Sequence, residues 1–203
     1  MSKPRFLAQP LGKSPLGAFG LDLWVEDLDF EAKPTPMDDA AYSQALSSMV
    51  LVCNDTLIID AKSKEPFVAR RRAKPMQDQW WYIGGRRRFG EVPLRSMARS
   101  FKRETSLDLP ERRFLFLATY EYIFKDRQQK PQSGGTHTLS HTFAVELDPN
   151  EIEVASGALD PKEYYAEQGL RPLDSIDPRH HEVHPFIFDA WERYMSARKR
   201  GLL

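Results

Sequence analysis

The stretch Trp80-Trp81-Tyr82-Ile83-Gly84-Gly85-Arg86-Arg87-Arg88-Phe89-Gly90-Glu91, followed by Pro93 to Leu107, decides the reading of this chain. An aromatic and aliphatic run of strand type ends on two glycines, which let the backbone pass close to a neighbouring group. A basic loop follows. The next segment opens on Pro93, a residue suited to the first helical position. Leu94, Met97, Ala98, Phe101 and Leu107 then recur at three- to four-residue spacing, which predicts a helix over 93–107 with one apolar stripe. Arg99 and Glu104 ride on that helix.

Outward from this unit the pattern is mixed. Asp38 to Leu46 predicts a short helix whose acidic first turn suits its dipole. Ser48 to Cys53 is an apolar run of strand length, and Thr56 to Ile59 and Pro66 to Ala69 predict two short strands around a Lys/Ser-rich turn. Downstream come an aromatic strand (Arg113 to Phe124), a polar loop (Lys125 to Gly135), a strand (Thr138 to Leu147), a short strand (Leu170 to Leu173) and a helix (Pro185 to Arg200). Strands, a central helix, more strands and a last helix predict an α/β fold, an α/β/α sandwich around a mixed sheet, over residues 38–203. Pro4, Pro10, Pro15, Pro34 and Pro36 with Gly12, Gly17 and Gly20 forbid a long helix in residues 1–37, which read as an extension that packs on this domain or on a second subunit, or as a partly ordered tail. Within it, Gly20 to Leu28 is a candidate short strand.

Composition narrows the function. The chain has 203 residues, and its 29 basic and 29 acidic side chains cancel to a net charge of zero. A generic nucleic-acid binder would show one-sided charge. No apolar run approaches the ~20 residues of a membrane span, and no signal core follows Met1-Ser2-Lys3-Pro4-Arg5. Cys53 is the one cysteine, so neither an internal disulfide nor a cysteine metal site is available. A cytoplasmic protein is expected.

The central stretch resembles the Nudix box, G-x5-E-x7-R-E-U-x-E-E-x-G-U with U aliphatic. Gly85, Glu91 and Arg99 fall in register, Phe101 sits at the bulky apolar position, Glu104 at the last acidic one and Leu107 at the final aliphatic one. The resemblance spans roughly residues 45–175. It implies a sandwich with a mixed sheet and a hydrolase of nucleoside diphosphates linked to another group. It implies structural roles for Gly85, Glu91 and Arg99 within the box. Three box positions depart: Ser100 and Arg103 stand where the family has glutamates, and Ser106 where it has glycine. One helical carboxylate cannot hold a metal cluster. Mg²⁺ commonly takes one or two carboxylates and fills its remaining positions with water and phosphate. The resemblance therefore implies one Mg²⁺, held by Glu104, the Gly84 carbonyl and the ligand's diphosphate, with Arg103 attracting phosphate.

The GDP-mannose mannosyl hydrolase branch shows a similar deficit, which implies attack at a sugar carbon with release of the nucleoside diphosphate. Ala69 to Trp80 (A-R-R-R-A-K-P-M-Q-D-Q-W) is similar to that branch's G-K-R-T-N-R-P-A-Q-G-Y-W. Arg71, Arg86 and Arg99 match its arginines, and guanidinium groups stabilise a departing diphosphate. The branch carries its base, a histidine, in the loop before the last strand. Here that loop, 160–169, holds Glu163 and Glu167 instead, and either is a candidate base. Tyr122 aligns with a leaving-group residue of the branch, and His141 is a further candidate substrate contact. Trp80 or Trp81, otherwise core residues, or Tyr122 is suited to stack on a base or sugar. Cleavage at phosphorus, giving a nucleoside monophosphate, and a nucleotide-binding module without turnover are the alternatives. The resemblance also implies a homodimer, with no membrane or nucleic-acid partner.

In Arg70-Arg71-Arg72 the alternation of a strand allows only one or two side chains to face a ligand, and Arg71 is the choice. His180, His181 and His184 lack a recognised metal spacing, and His184 reads as a helix N-terminal or core-edge residue, with a substitute base as the alternative. Cys53 reads as inert core.

Overall fold

A computed structural model describes residues 9–10, 24–25, 32–176 and 183–201. The spine of the sheet is β3 (Leu51–Asp60), numbered after two short strands, β1 (Gln9–Pro10) and β2 (Trp24–Val25), which pair with each other. β8 (Thr136–Leu147) lies parallel to β3 in register from Leu51 opposite Thr138 to Asp60 opposite Leu147. On its other side β3 is shared by two antiparallel partners. β6 (Ile83–Arg86) pairs with its first half, and β4 (Pro66–Arg70) with its end. β4 also pairs with β5 (Trp80–Trp81) and β9 (Leu170–Pro172), and β7 (Phe114–Phe124) closes the far edge beside β8.

Alternation along the spine sorts the core into two layers. Ile58 faces a cluster with Met97 and Phe101 of α2 (Pro93–Thr105) and Ala155 of α3 (Pro149–Gly157). Leu57 and Ile59 face the opposite cluster, with Ile187, Ala190 and Tyr194 of α4 (Pro185–Lys199). Helices therefore cover both faces of a mixed sheet, as the pattern predicts. α1 (Asp39–Ser48) is capped by Asp38, whose Oδ1 accepts from the Ala41 amide at 2.8 Å. No helix among the described residues is long and apolar enough to cross a membrane.

Three expectations are corrected. β3 is one continuous strand, not two runs interrupted at Asn54–Asp55, because ladders on both sides hold that polar pair extended. Ser48 belongs to the end of α1. α3 is an additional helix, closed by a reciprocal box in which Asp148 accepts from the Glu151 amide and Glu151 from the Asp148 amide. In the candidate strand Gly20 to Leu28 only Trp24–Val25 is described, and it is extended. His180 and His181 lie outside the described residues.

Candidate active site

The box region is assembled by charge. Arg99, one turn and a half into α2, donates from Nε to Glu91 Oε1 at 2.5 Å and from Nη2 to Glu91 Oε2 at 2.9 Å. Its Nη2 also reaches the Arg86 carbonyl at 3.0 Å. Glu91 accepts the Arg88 amide at 2.8 Å, and its carbonyl accepts Arg87 Nη2 at 2.7 Å. Burial pushes the Glu91 carboxyl up, but these bonds and the Arg99 charge together outweigh it and hold it down at about 2. The two residues thus fold the basic loop back onto the helix and fix where Arg86 points. Arg86 lies 4.0 Å over the ring of Tyr42 from α1, a cation–π contact that positions a charge without neutralising it.

That loop borders a cavity of about 970 Å³ between α1, the start of β3, β6 and the loop after β7. Arg71, Arg86, Arg99, Arg103, Arg127 and Lys74 line it, against Asp55, Glu91 and Glu163. Trp81, Tyr122 and Phe124 supply an aromatic lining, Trp81 meeting Tyr122 edge-on at 5.5 Å. Pro34, Pro36 and Met37 also line it, so the end of the N-terminal segment contributes to the wall.

Strand alternation separates the three consecutive arginines, as expected. Arg71 lies over Tyr164, whereas Arg70 and Arg72 both lie over Tyr165. Arg71 Nη2 holds Glu163 Oε2 at 3.3 Å at the cavity edge. Glu167 is 61% exposed, pairs with Arg72 at 3.0 Å and lies outside this cavity, so the expected role of Glu167 as base is not supported by its position. His141 is likewise outside it. Its Nδ1 meets Thr119 Oγ1 at 3.0 Å, and burial, then the Arg87 charge, lowers its proton affinity. The ring is a satisfied strand residue rather than a substrate contact. His184 caps α4 through Nδ1 and stacks on Phe186. Cys53 lines the cavity, but burial pushes its thiol up to about 12, so it is inert.

Two lining residues escape the sequence pattern. Asp55 has Oδ2 2.5 Å from the Ser140 hydroxyl that donates to it, and burial pushes its carboxyl up to about 6 against that bond and the Arg71 charge. Arg127 is 2% exposed, and its terminal nitrogens donate to the hydroxyls of Ser43 and Ser47 at 2.9 Å each. No carboxylate among the described residues pairs with it, so its charge adds to the positive lining.

Gly84 carries a sharp steric demand. A Cβ there would lie 2.3 Å from Asp55 Oδ1 and 2.5 Å from the Asn54 carbonyl. Gly84→Ala is expected to destabilise the protein by about 1–3 kcal/mol, the usual cost of overpacking. Gly157→Ala, where a Cβ meets nothing within 4 Å, is the control. Urea unfolding of both variants checks this.

The fold family implies a divalent metal, and the helix face tests whether these residues fit one. The Glu104 side chain is 1% exposed, and Arg103 Nε donates to its Oε1 at 2.7 Å while Nη2 donates to the same oxygen. Glu104 does not line the cavity, whereas Arg103 does. Among the described residues no group of three or more His, Cys, Asp or Glu side chains is placed to hold a metal ion. A dication beside the guanidinium would be repelled by its charge and attracted by the Glu104 carboxylate paired with it, so the pair offers a metal no net attraction. As placed here, with Arg103 paired to Glu104 and Glu104 outside the cavity, these residues do not fit a resident metal at the expected Glu104–Gly84 position.

No family model matches the chain, and no curated protein matches it in sequence. Solved structures do. A MutT Nudix hydrolase from Burkholderia pseudomallei is 16% identical with a TM-score of 0.52, over 72% of this chain and 98% of that one. A Nudix hydrolase from Nitrosomonas europaea is 16% identical with a TM-score of 0.50, over 73% of this chain and 90% of that one. At this identity the similarity is one of architecture: the chain has the fold of the Nudix hydrolases.

Proposed function

We propose that this chain hydrolyses a nucleoside diphosphate linked to a sugar, of the GDP-mannose kind, by attack of water at the sugar carbon. The observation that carries the reading is the convergence of Arg71, Arg86, Arg99 and Arg103 on one aromatic-lined cavity of a Nudix fold. Its volume suits a nucleotide-sized ligand. Guanidinium groups bind diphosphate oxygens in pairs and accept the negative charge that grows on a leaving diphosphate. Attack at carbon needs, besides that, a base for the attacking water. Attack at phosphorus brings an oxygen nucleophile against phosphoryl oxygens, a task commonly assisted by metal ions.

In the reaction the water oxygen bonds to the anomeric carbon, the carbon–oxygen bond to the diphosphate breaks, and the diphosphate leaves with the electron pair. A carboxylate takes the water's proton. Asp55 is assigned that role, because Glu163 is committed to orienting Arg71. A base must be deprotonated, so kcat/KM is expected to be full above about pH 6 and to fall as pH drops through about 6. Asp55→Asn should remove turnover while leaving ligand affinity largely intact, and Glu163→Gln should raise KM more than it lowers kcat.

The pairing of Glu104 and Glu163 with arginines favours, as a second reading, a module that binds the nucleotide without turnover. Incubation with GDP-mannose, GDP-glucose, UDP-glucose and ADP-ribose, with products resolved by phosphorus NMR, separates the readings. Nucleoside diphosphate plus free sugar supports carbon attack. Nucleoside monophosphate plus sugar phosphate moves attack to phosphorus, and binding without product supports the second reading.

A further inference from the structure

We infer that Arg103 is a resident cation standing where a divalent metal would otherwise sit, so that this cavity binds diphosphate without metal and Arg103 is itself a phosphate contact. The inference rests on the proposed reading for its ligand, but its geometric basis is independent of it.

Arg103 and Glu104 are neighbours in sequence, and α2 turns one toward the cavity and the other beneath it. Nε and Nη2 of Arg103 both converge on one oxygen of Glu104. The other oxygen, Oε2, is buried with no hydrogen-bond partner. Glu104 therefore acts as an anchor that spends its charge on the guanidinium and offers nothing to the cavity. The Arg103 side chain, 48% exposed, keeps Nη1 free of partners among the described residues. Gly85 makes room for it: a Cβ there would come within 3.0 Å of both Arg103 Nη2 and Ser100 Oγ. Ser100, one turn earlier, is a neutral buried hydroxyl without a partner rather than a ligand carboxylate. The helix face thus presents to the cavity a guanidinium seated on a buried carboxylate, beside Arg71 and Arg99. A planar guanidinium with two donors already fixed is preorganised to give its remaining donors to a diphosphate oxygen.

The test uses two probes, Mn²⁺ alone and inorganic diphosphate. Mn²⁺ binding is read by electron paramagnetic resonance on the wild type, Arg103→Glu and Arg103→Gln, with circular dichroism checking that each is folded. Arg103→Glu frees Glu104 and adds a second carboxylate beside it, so Mn²⁺ affinity should rise at least tenfold over wild type. Arg103→Gln, which removes the charge with less risk to folding, should show a smaller rise. Equal affinity in the wild type and the folded variants, or tighter Mn²⁺ binding by the wild type, would overturn the inference. Inorganic diphosphate is then titrated by calorimetry in EDTA. Wild type should bind it, and Arg103→Gln should bind at least tenfold more weakly. Wild-type binding that appears only after Mg²⁺ is added would also overturn the inference. Failure of every protein to bind diphosphate under either condition would instead remove both the proposed ligand and the phosphate-contact part of this inference, while the Mn²⁺ result would still decide whether Arg103 occupies the metal's place.

Discussion

Replacing Arg71 with Met should weaken binding of GDP-mannose by about 10- to 150-fold, the loss of one or two charge-assisted hydrogen bonds worth about 1.5–3 kcal/mol. The Arg71 side chain is 16% exposed, against 44% for Arg72, and it lines the cavity. Its ring contact with Tyr164 and its bond to Glu163 fix the guanidinium before any ligand arrives. Little ordering cost is then left for binding. Arg72→Met is the matched comparison. Arg72 pairs with Glu167 at the surface and does not line the cavity. Exposed pairs are worth about 0–1 kcal/mol, so affinity should stay within about 2-fold of wild type. Calorimetry on both variants checks this. Equal losses would mean that the cationic surface as a whole, and not the placement of Arg71, attracts the ligand.

Glu91→Gln is expected to carry the largest stability cost of the site, about 2–3 kcal/mol at pH 7, because it leaves Arg99 without its anion in a partly buried position. For a chain of this size that is a fall of about 5–10 °C in Tm. The pH dependence follows from the depressed carboxyl. In the unfolded chain a glutamate titrates at about 4.3, and in the fold Glu91 titrates at about 2. The folded state therefore holds the proton less tightly. The stabilisation is fully present above the unfolded value and is lost as pH falls toward about 2. The gap between wild type and Glu91→Gln in urea midpoint should be widest at neutral pH and should close between about pH 4 and pH 2. A gap independent of pH would assign the loss to packing rather than to charge.

The Glu91–Arg99 pair was legible in the sequence because its spacing places both groups on one local unit, a loop and the helix that follows it. The apolar stripe of α2 was legible for the same reason: Met97 and Phe101 are fully buried. The two-residue period of a strand separates Arg71 from Arg70 and Arg72, and the resemblance picks Arg71 among them. What escaped depends on partners far away in sequence. Asp55 reads as an interruption of an apolar run, and only the pairing of β3 with both β6 and β8 puts it on the cavity wall. Arg127 stands in a polar loop, where a charged residue is ordinarily solvated. Its burial comes from α1, where Ser43 and Ser47 stand 84 and 80 residues earlier. Glu104 was read as a metal ligand because its register on the helix is right. Register does not reveal that the adjacent Arg103 folds over it. The missed α3 is a different case, since Asp148-Pro149-Asn150-Glu151 carries a local start signal of its own.

The central claim is that arginines, without a metal, drive departure of a nucleoside diphosphate from a sugar carbon. Its most direct test is turnover of GDP-mannose in EDTA with ¹⁸O-labelled water, followed by mass spectrometry of the products. The account predicts GDP without label and mannose carrying one labelled oxygen. Label in a phosphate, or turnover that appears only when a divalent cation is restored, would contradict it.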